Sequence, residues 1–182
     1  MRRIFWFINK YFMVPMFLFG FGPFFGNPFT SYIMILKTIG RKTGRLRYSP
    51  VNYAVLDGRI YCVSGFRQGS DWYRNLRLHP AIEAILPGGA IAGTASEISD
   101  MAFKTTVIRK VIQNAGFAGF FEGFNPFRIS NEELARKTAD MPLICIQPTG
   151  LGSGASDPGG WAWVWTPVST ILLILAIWLI LR

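Results

Sequence analysis

The 182 residues include 51% hydrophobic and 16% charged side chains, enough apolar content for one core, which excludes a disordered or collagen-like chain and leaves little for a second domain. Two cysteines, Cys62 and Cys145, and a single histidine, His79, argue against a disulfide framework and against a zinc site. The formal net charge of +9 calls for an anionic partner.

Arg2 and Arg3 open the chain, and a charge-free run from Tyr11 to Phe29 follows. Nine of the 16 phenylalanines fall in this first stretch. Pro15, Pro23 and Pro28, with Gly20, Gly22 and Gly26, would break a spanning helix. Residues 1–30 are therefore expected as a membrane-interface segment or as a lid packed on the body. Strands are expected at Ser31–Lys37, Arg47–Leu56 and Arg59–Ser64. The last two flank Asp57-Gly58, a strong hairpin signal. Ser70-Asp71 starts a helix through Leu78, which Pro80 stops. Ala81–Leu86 and Ala90–Ile98 read as strands, and Ser99 or Asp100 caps a helix to about Asn114. A Gly/Phe-rich loop from Phe117 to Phe127, a short helix at Asn131–Lys137 and a strand at Leu143–Gln147 complete the body. Many strands, few helices and no β-α-β alternation predict a mainly β (α+β) domain, a small closed or half-closed barrel with flanking helices over 31–149. Cys62 and Cys145 lie in alternating apolar runs and are expected as buried strand residues.

The end of the chain carries its own expectation. Residues 150–160 are rich in Gly, Ser and Pro and are expected as a flexible linker. Residues 161–181 carry no charge, with tryptophans near both ends. They are expected as a C-terminal transmembrane helix across a ~30 Å hydrocarbon core. Of the 19 Lys/Arg, only Arg182 follows that segment. The expected location is accordingly the cell membrane, with a single-pass anchor, the lipid bilayer as a partner and the body on the cytoplasmic side.

Charge is concentrated between Lys37 and Arg77, where nine Lys/Arg stand against Asp57 and Asp71. The densest part is Gly40-Arg41-Lys42-Thr43-Gly44-Arg45-Leu46-Arg47. Two glycines four apart allow a tight turn whose amides face one concavity, and four cations around it invite an anion. The spacing is not that of a P-loop. A basic turn facing anionic lipid is the alternative use of the same charges. The aromatics cluster at the chain ends and not among these cations, so no nucleic-acid partner is expected. A second cluster, Ser64-Gly65-Phe66-Arg67-Gln68-Gly69-Ser70-Asp71-Trp72-Tyr73-Arg74-Asn75-Leu76, takes a strand through two glycines into a helix. Backbone there can approach a ligand closely, and Trp72 can stack on a flat ring or serve as core.

The order GRKTGRLR at 40–47, Ser49-Pro50, Asp57-Gly58, Ser64, and DWYRNL at 71–76 through His79-Pro80 resembles the deazaflavin-dependent nitroreductases, split β-barrel proteins related to flavin-reductase-like and pyridoxamine-oxidase-like folds. The resemblance covers roughly Asn9 to Gly150. It implies that Arg41, Lys42 and Arg47 grip the phosphate and acidic tail of reduced coenzyme F420. It also implies that Ser49 and Pro50 begin the strand beside the coenzyme, that Ser64 and Gly65 lie near the deazaflavin ring and that Trp72 lines the pocket. Ser64 is the one candidate to polarise or protonate an acceptor. Gly65-Phe66-Arg67 replaces a Lys-Gly-Gly stretch, and phenylalanines at 117, 120, 121, 124 and 127 stand where some members carry acceptor-lining tyrosines. The resemblance implies an oxidoreductase passing hydride from reduced F420 to a nitro or similar planar acceptor, and the expected membrane span points to a quinone-like acceptor, a menaquinone among them, because quinones live in lipid. An FMN enzyme of the same fold and a non-catalytic lipid- or cofactor-binding protein are the alternatives. No metal is expected.

Overall fold

The computed structural model describes residues 7–24, 31–116, 119, 125–154 and 164–181. Strands β1 (Ile33–Ile39), β2 (Leu46–Leu56), β3 (Arg59–Val63), β4 (Ala81–Leu86), β5 (Gly89–Glu97) and β6 (Leu143–Leu151) pair antiparallel. They close into a barrel in the order β1-β2-β3-β6-β5-β4. Five α-helices accompany them among the described residues: α1 (Val14–Leu18), α2 (Asp71–Leu78), α3 (Met101–Asn114), α4 (Asn131–Thr138) and α5 (Trp165–Leu181).

Side chains alternate across each strand, and here both faces of the barrel wall are covered. Met34, Leu36, Val51, Ile60, Cys62, Ile82, Ala84, Ala95, Ile144 and Ile146 form one cluster with Tyr73 and Leu76 of α2. On the opposite face, Ala54, Tyr61, Leu143 and Cys145 pack against Val107, Ile108, Val111 and Ile112 of α3 and Leu134 of α4. Asp100 caps α3 through the amides of Ala102 and Phe103, and Ser130 caps α4 through that of Glu133. Ile35 and Ile85 are covered by Met13 and Phe17 from the N-terminal segment. In that segment Phe7, Tyr11, Phe12 and Phe24 stay exposed; residues 1–6 and 25–30 lie outside the described residues. Cys62 and Cys145 are both buried free thiols, one in each cluster on opposite faces of the wall.

Local turn chemistry sets the register. Asp57 and Gly58 both take positive φ, +48° and +71°, as a two-residue hairpin whose twist matches its strands requires. At the register shift between Ala92 and Gly93, a Cβ on Gly93 would meet Gln147 O at 2.8 Å, so only glycine lets β5 and β6 approach there.

Strand β6 carries the barrel to Leu151, and the next residues stay fastened to it. Gly152 N donates to Ala90 O at 2.9 Å. Lys37 Nζ pairs with Glu83 Oε1 at 3.1 Å and donates to Ser153 Oγ at 2.7 Å. Gly154 N donates to Glu83 Oε2 at 3.0 Å. Burial works to raise the Glu83 carboxyl, but the hydrogen bonds from Ser153, Lys37 and the Gly154 amide outweigh it and hold it below the ordinary glutamate range. A lowered carboxyl stabilises the fold fully above its unfolded pKa of about 4.3, and that contribution is lost as pH falls through the lowered value. Titrating the Glu83 side chain by NMR should therefore give a midpoint below ~4.3. Lys37→Met should move it upward; an unmoved midpoint would show that the lysine contributes nothing to it.

The C-terminal helix corrects two expectations. The expected span of 161–181 becomes a helix of 17 residues, Trp165–Leu181. At 1.5 Å per residue it reaches about 26 Å, short of the ~30 Å core. No helix among the described residues is long and apolar enough to cross a membrane. The fold is a six-stranded barrel with flanking helices, and the expected transmembrane helix is not found among the described residues. The expected membrane location, resting on that single-pass anchor, falls with it. Residues 155–163, which hold most of the expected linker, lie outside the described residues.

Candidate functional site

The basic turn joins β1 to β2 and is closed by its own backbone. Gly40 N donates to Arg45 O at 2.8 Å, and Gly44 N donates to Gly40 O at 2.8 Å. Gly44 takes φ +66°, a conformation glycine adopts without strain. A Cβ on Gly40 would press on Arg45 O at 3.1 Å and Thr43 Oγ1 at 3.2 Å. Lys42, Arg45 and Arg47 are exposed around the turn. Arg47 donates to Thr43 Oγ1 at 3.4 Å. Among the described residues no carboxylate pairs with these three cations.

Arg41 is different. Its guanidinium pairs with Asp71 Oδ1 at 2.9 Å, and its Nη1 donates to Asn75 Oδ1 at 3.1 Å. Its backbone N–H donates to the same Asn75 oxygen at 3.1 Å. The turn is thereby held to α2, more than thirty residues further along the chain.

Beyond the turn, β2 pairs with β1 from Leu46 to Asn52 and with β3 only from Tyr53 to Leu56. Ser49 and Pro50, both half-buried, lie where β2 has no β3 partner. A proline, which has no N–H to donate, is tolerated at such an edge. Thr38, opposite Arg47 in the ladder, is 1% exposed, and its Oγ1 is the buried side-chain oxygen without a hydrogen-bond partner among the described residues.

Ser64 follows the end of β3 and is fully buried. Its hydroxyl donates to Arg67 O at 2.6 Å and pairs with Ser70 Oγ at 2.6 Å. Ser70 is the residue before α2 yet makes no side-chain cap there, because its hydroxyl is engaged with Ser64. Gly65 is exposed. Arg67 pairs with Asp140. Trp72 is half-buried and meets the Tyr73 ring edge-on at 6.4 Å. Tyr73 OH donates to Glu97 Oε2 at 2.8 Å; burial, then the Glu97 carboxylate, pushes its phenol above the ordinary range. On the outer side of α2, Arg41, Gln68, Tyr73, Arg74, Arg77 and Leu78 line an open hollow of about 420 Å³.

The start of α2 thus gathers both sequence clusters. Ser70 reaches the Ser64 loop, while Asp71 and Asn75 reach the basic turn. The sequence gives neither Asn75 nor Thr38 a role in the site, although Asn75 lies in the DWYRNL stretch. Asp71 and Asn75 stand four apart on one helix face, a spacing that signals a shared partner but does not name it. Of the phenylalanines at 117–127, only Phe127 is described, and it is exposed. No group of three or more metal-ligating side chains occurs among the described residues.

A family model described as F420H(2)-dependent quinone reductase matches residues 22–120, more than half of the chain. No curated protein matches it significantly. Among solved structures, a conserved hypothetical protein from Mycobacterium tuberculosis is similar at a TM-score of 0.50 and 20% identity, covering 65% of this chain and 74% of that one. An F420-H2 dependent reductase is similar at a TM-score of 0.42 and 20% identity, over 63% of this chain and 93% of that one. The haem storage protein HutZ from Vibrio cholerae is similar at a TM-score of 0.42 and 16% identity, over 65% and 82%. At 20% identity the likeness to the first of these shows a shared fold and nothing finer.

Proposed function

The chain belongs to the F420H(2)-dependent quinone reductase family, and from that premise we propose that its basic turn holds the phosphate of the coenzyme while a quinone-like planar molecule is the acceptor. It is an F420-dependent oxidoreductase. The observation that carries the site assignment is the turn itself: three exposed cations, Lys42, Arg45 and Arg47, without carboxylate partners among the described residues, around backbone folded tightly over Gly40. Such a donor set fits a phosphate.

Reduced F420, when bound, supplies the hydride. The chain's own part is binding, orientation and exclusion of water. Lys42 is a compact point charge on a flexible stem, suited to a phosphate oxygen at the mouth of the turn. Arg47 stands one strand residue from the turn and brings a planar fork to the same anion. Arg41 stands behind them, its charge shared with Asp71. Ser49 and Pro50 offer the open edge of β2 to the coenzyme, and Trp72 offers a flat apolar wall for the ring. Ser64 contributes by ordering the loop, since its hydroxyl is committed to Arg67 O and Ser70. The proton that a quinone takes up is then supplied by solvent or by the coenzyme side of the pocket.

The test is direct. The protein is titrated with F420 and with FMN separately, following quenching of each ring's fluorescence. Oxidation of reduced F420 is then followed with a menaquinone analogue and with a nitroaromatic acceptor. The expected result is saturable binding of F420, none of FMN at comparable concentration, and faster turnover with the quinone. Turnover with the nitroaromatic alone would overturn the acceptor assignment.

A further inference from the structure

The turn has one anchor to the rest of the fold that neither its glycines nor its charges explain. The Asn75 carboxamide oxygen accepts two hydrogen bonds from one residue, the backbone N–H and the guanidinium of Arg41, each at 3.1 Å. Asn75 is 4% exposed, so this oxygen is shielded from water and the two bonds are not readily replaced by solvent. Asp71, one helical turn earlier, takes the other side of the same guanidinium. The peptide that follows Gly40 is therefore fixed against α2, and the guanidinium is directed toward the helix while Lys42, Arg45 and Arg47 remain exposed.

We propose that Asn75 is a positioning residue for coenzyme binding: by clamping both the amide and the side chain of Arg41, it holds the basic turn in the shape in which Lys42 and Arg47 meet the phosphate. This rests on the reading of the turn as the phosphate seat. Arg41 in this arrangement acts through its fork geometry, which a lysine cannot reproduce, more than through its charge. The assignment explains why a buried amide side chain sits in the second turn of a short helix whose neighbouring inward residues, Tyr73 and Leu76, are core. It also makes α2 the frame for both halves of the site, since Ser70 at its start holds the Ser64 loop.

The experiment measures Kd by fluorescence for two ligands, full F420 and a shortened coenzyme that keeps the deazaflavin ring but lacks the phosphate. Asn75→Ala should weaken full F420 by about tenfold, the size of one charge-assisted hydrogen bond, and leave the shortened coenzyme unmoved. Arg41→Lys, at a part-buried site, should weaken full F420 to a similar degree although the positive charge is kept. The Asn75→Ala/Arg41→Lys double variant should be no more than about twofold weaker than Asn75→Ala alone, because Asn75→Ala already removes the guanidinium–carboxamide bond that Arg41→Lys removes. Wild-type affinity in Asn75→Ala, full rescue by lysine at 41, or equal losses for both ligands would each overturn the proposal. Lys42→Ala separates the two levels. If it weakens F420 while Asn75→Ala does not, only the positioning role fails. If it too is silent, the phosphate seat lies elsewhere and the positioning role falls with it.

Discussion

Lys42→Ala and Arg47→Ala should each weaken F420 binding by about one to two decades while leaving a phosphate-free shortened coenzyme unaffected. The magnitude follows from a hydrogen bond to a charged group, worth roughly 1.5–3 kcal/mol, at about 1.4 kcal/mol per decade. Both side chains are exposed, so their removal costs the fold little and the loss is read as binding. Arg59→Ala is the control. It carries the same charge on β3, away from the turn, and removes only a distant, screened contribution to the field. The turn also makes a salt prediction: F420 affinity should fall as ionic strength rises, and Lys42→Ala should fall less steeply. An affinity that is flat with salt and equal in Lys42→Ala and wild type would end the phosphate assignment.

The largest stability effect should come from the barrel interior. Leu36 is fully buried and packs in the cluster shared by all six strands and α2. Leu36→Ala removes that contact and leaves a cavity that a closed barrel, hydrogen-bonded all the way round, relaxes into poorly. The expected cost is about 2–5 kcal/mol, a large share of a typical domain's stability. For a chain of this size that corresponds to a Tm lower by on the order of 10 °C. Val55, half-exposed on β2, supplies the comparison: Val55→Ala should stay within about 0.5 kcal/mol. Chemical denaturation of the two variants side by side reads the difference, and equal midpoints would mean that the interior is not what stabilises the barrel.

Much of this architecture is written in short stretches of sequence. Asp57-Gly58 specifies a hairpin because both residues must take positive φ, and they do. Ala81–Leu86 is legible as a strand because turn residues bound it on both sides, Pro80 before and Pro87-Gly88 after. Asp100 announces a helix because its short side-chain oxygen satisfies amides two and three residues on. The basic turn is equally local, since two glycines and four cations within eight residues need nothing else to meet. The family resemblance rests on the same kind of local information, and the family match covers those residues.

What the sequence alone left undecided depends on partners far apart in the chain. Arg41, Lys42 and Arg47 look alike as cations in one turn. Only the approach of α2 engages Arg41 with Asp71 and Asn75 and leaves the others exposed. Ser64 carries a hydroxyl suited to a ligand, yet the loop folds back so that Ser70 and the Arg67 carbonyl take it. Glu83, Lys37 and Ser153 come from three strands or strand ends and form one clasp. Composition marked residues 161–181 as uncharged throughout, but it did not decide where helix would begin, and the helix that forms is 17 residues long. Backbone propensity and hydrophobic period act over a few residues and survive in the sequence. The pairing of polar groups depends on distances of a few ångströms between elements, which exist only once the barrel has closed.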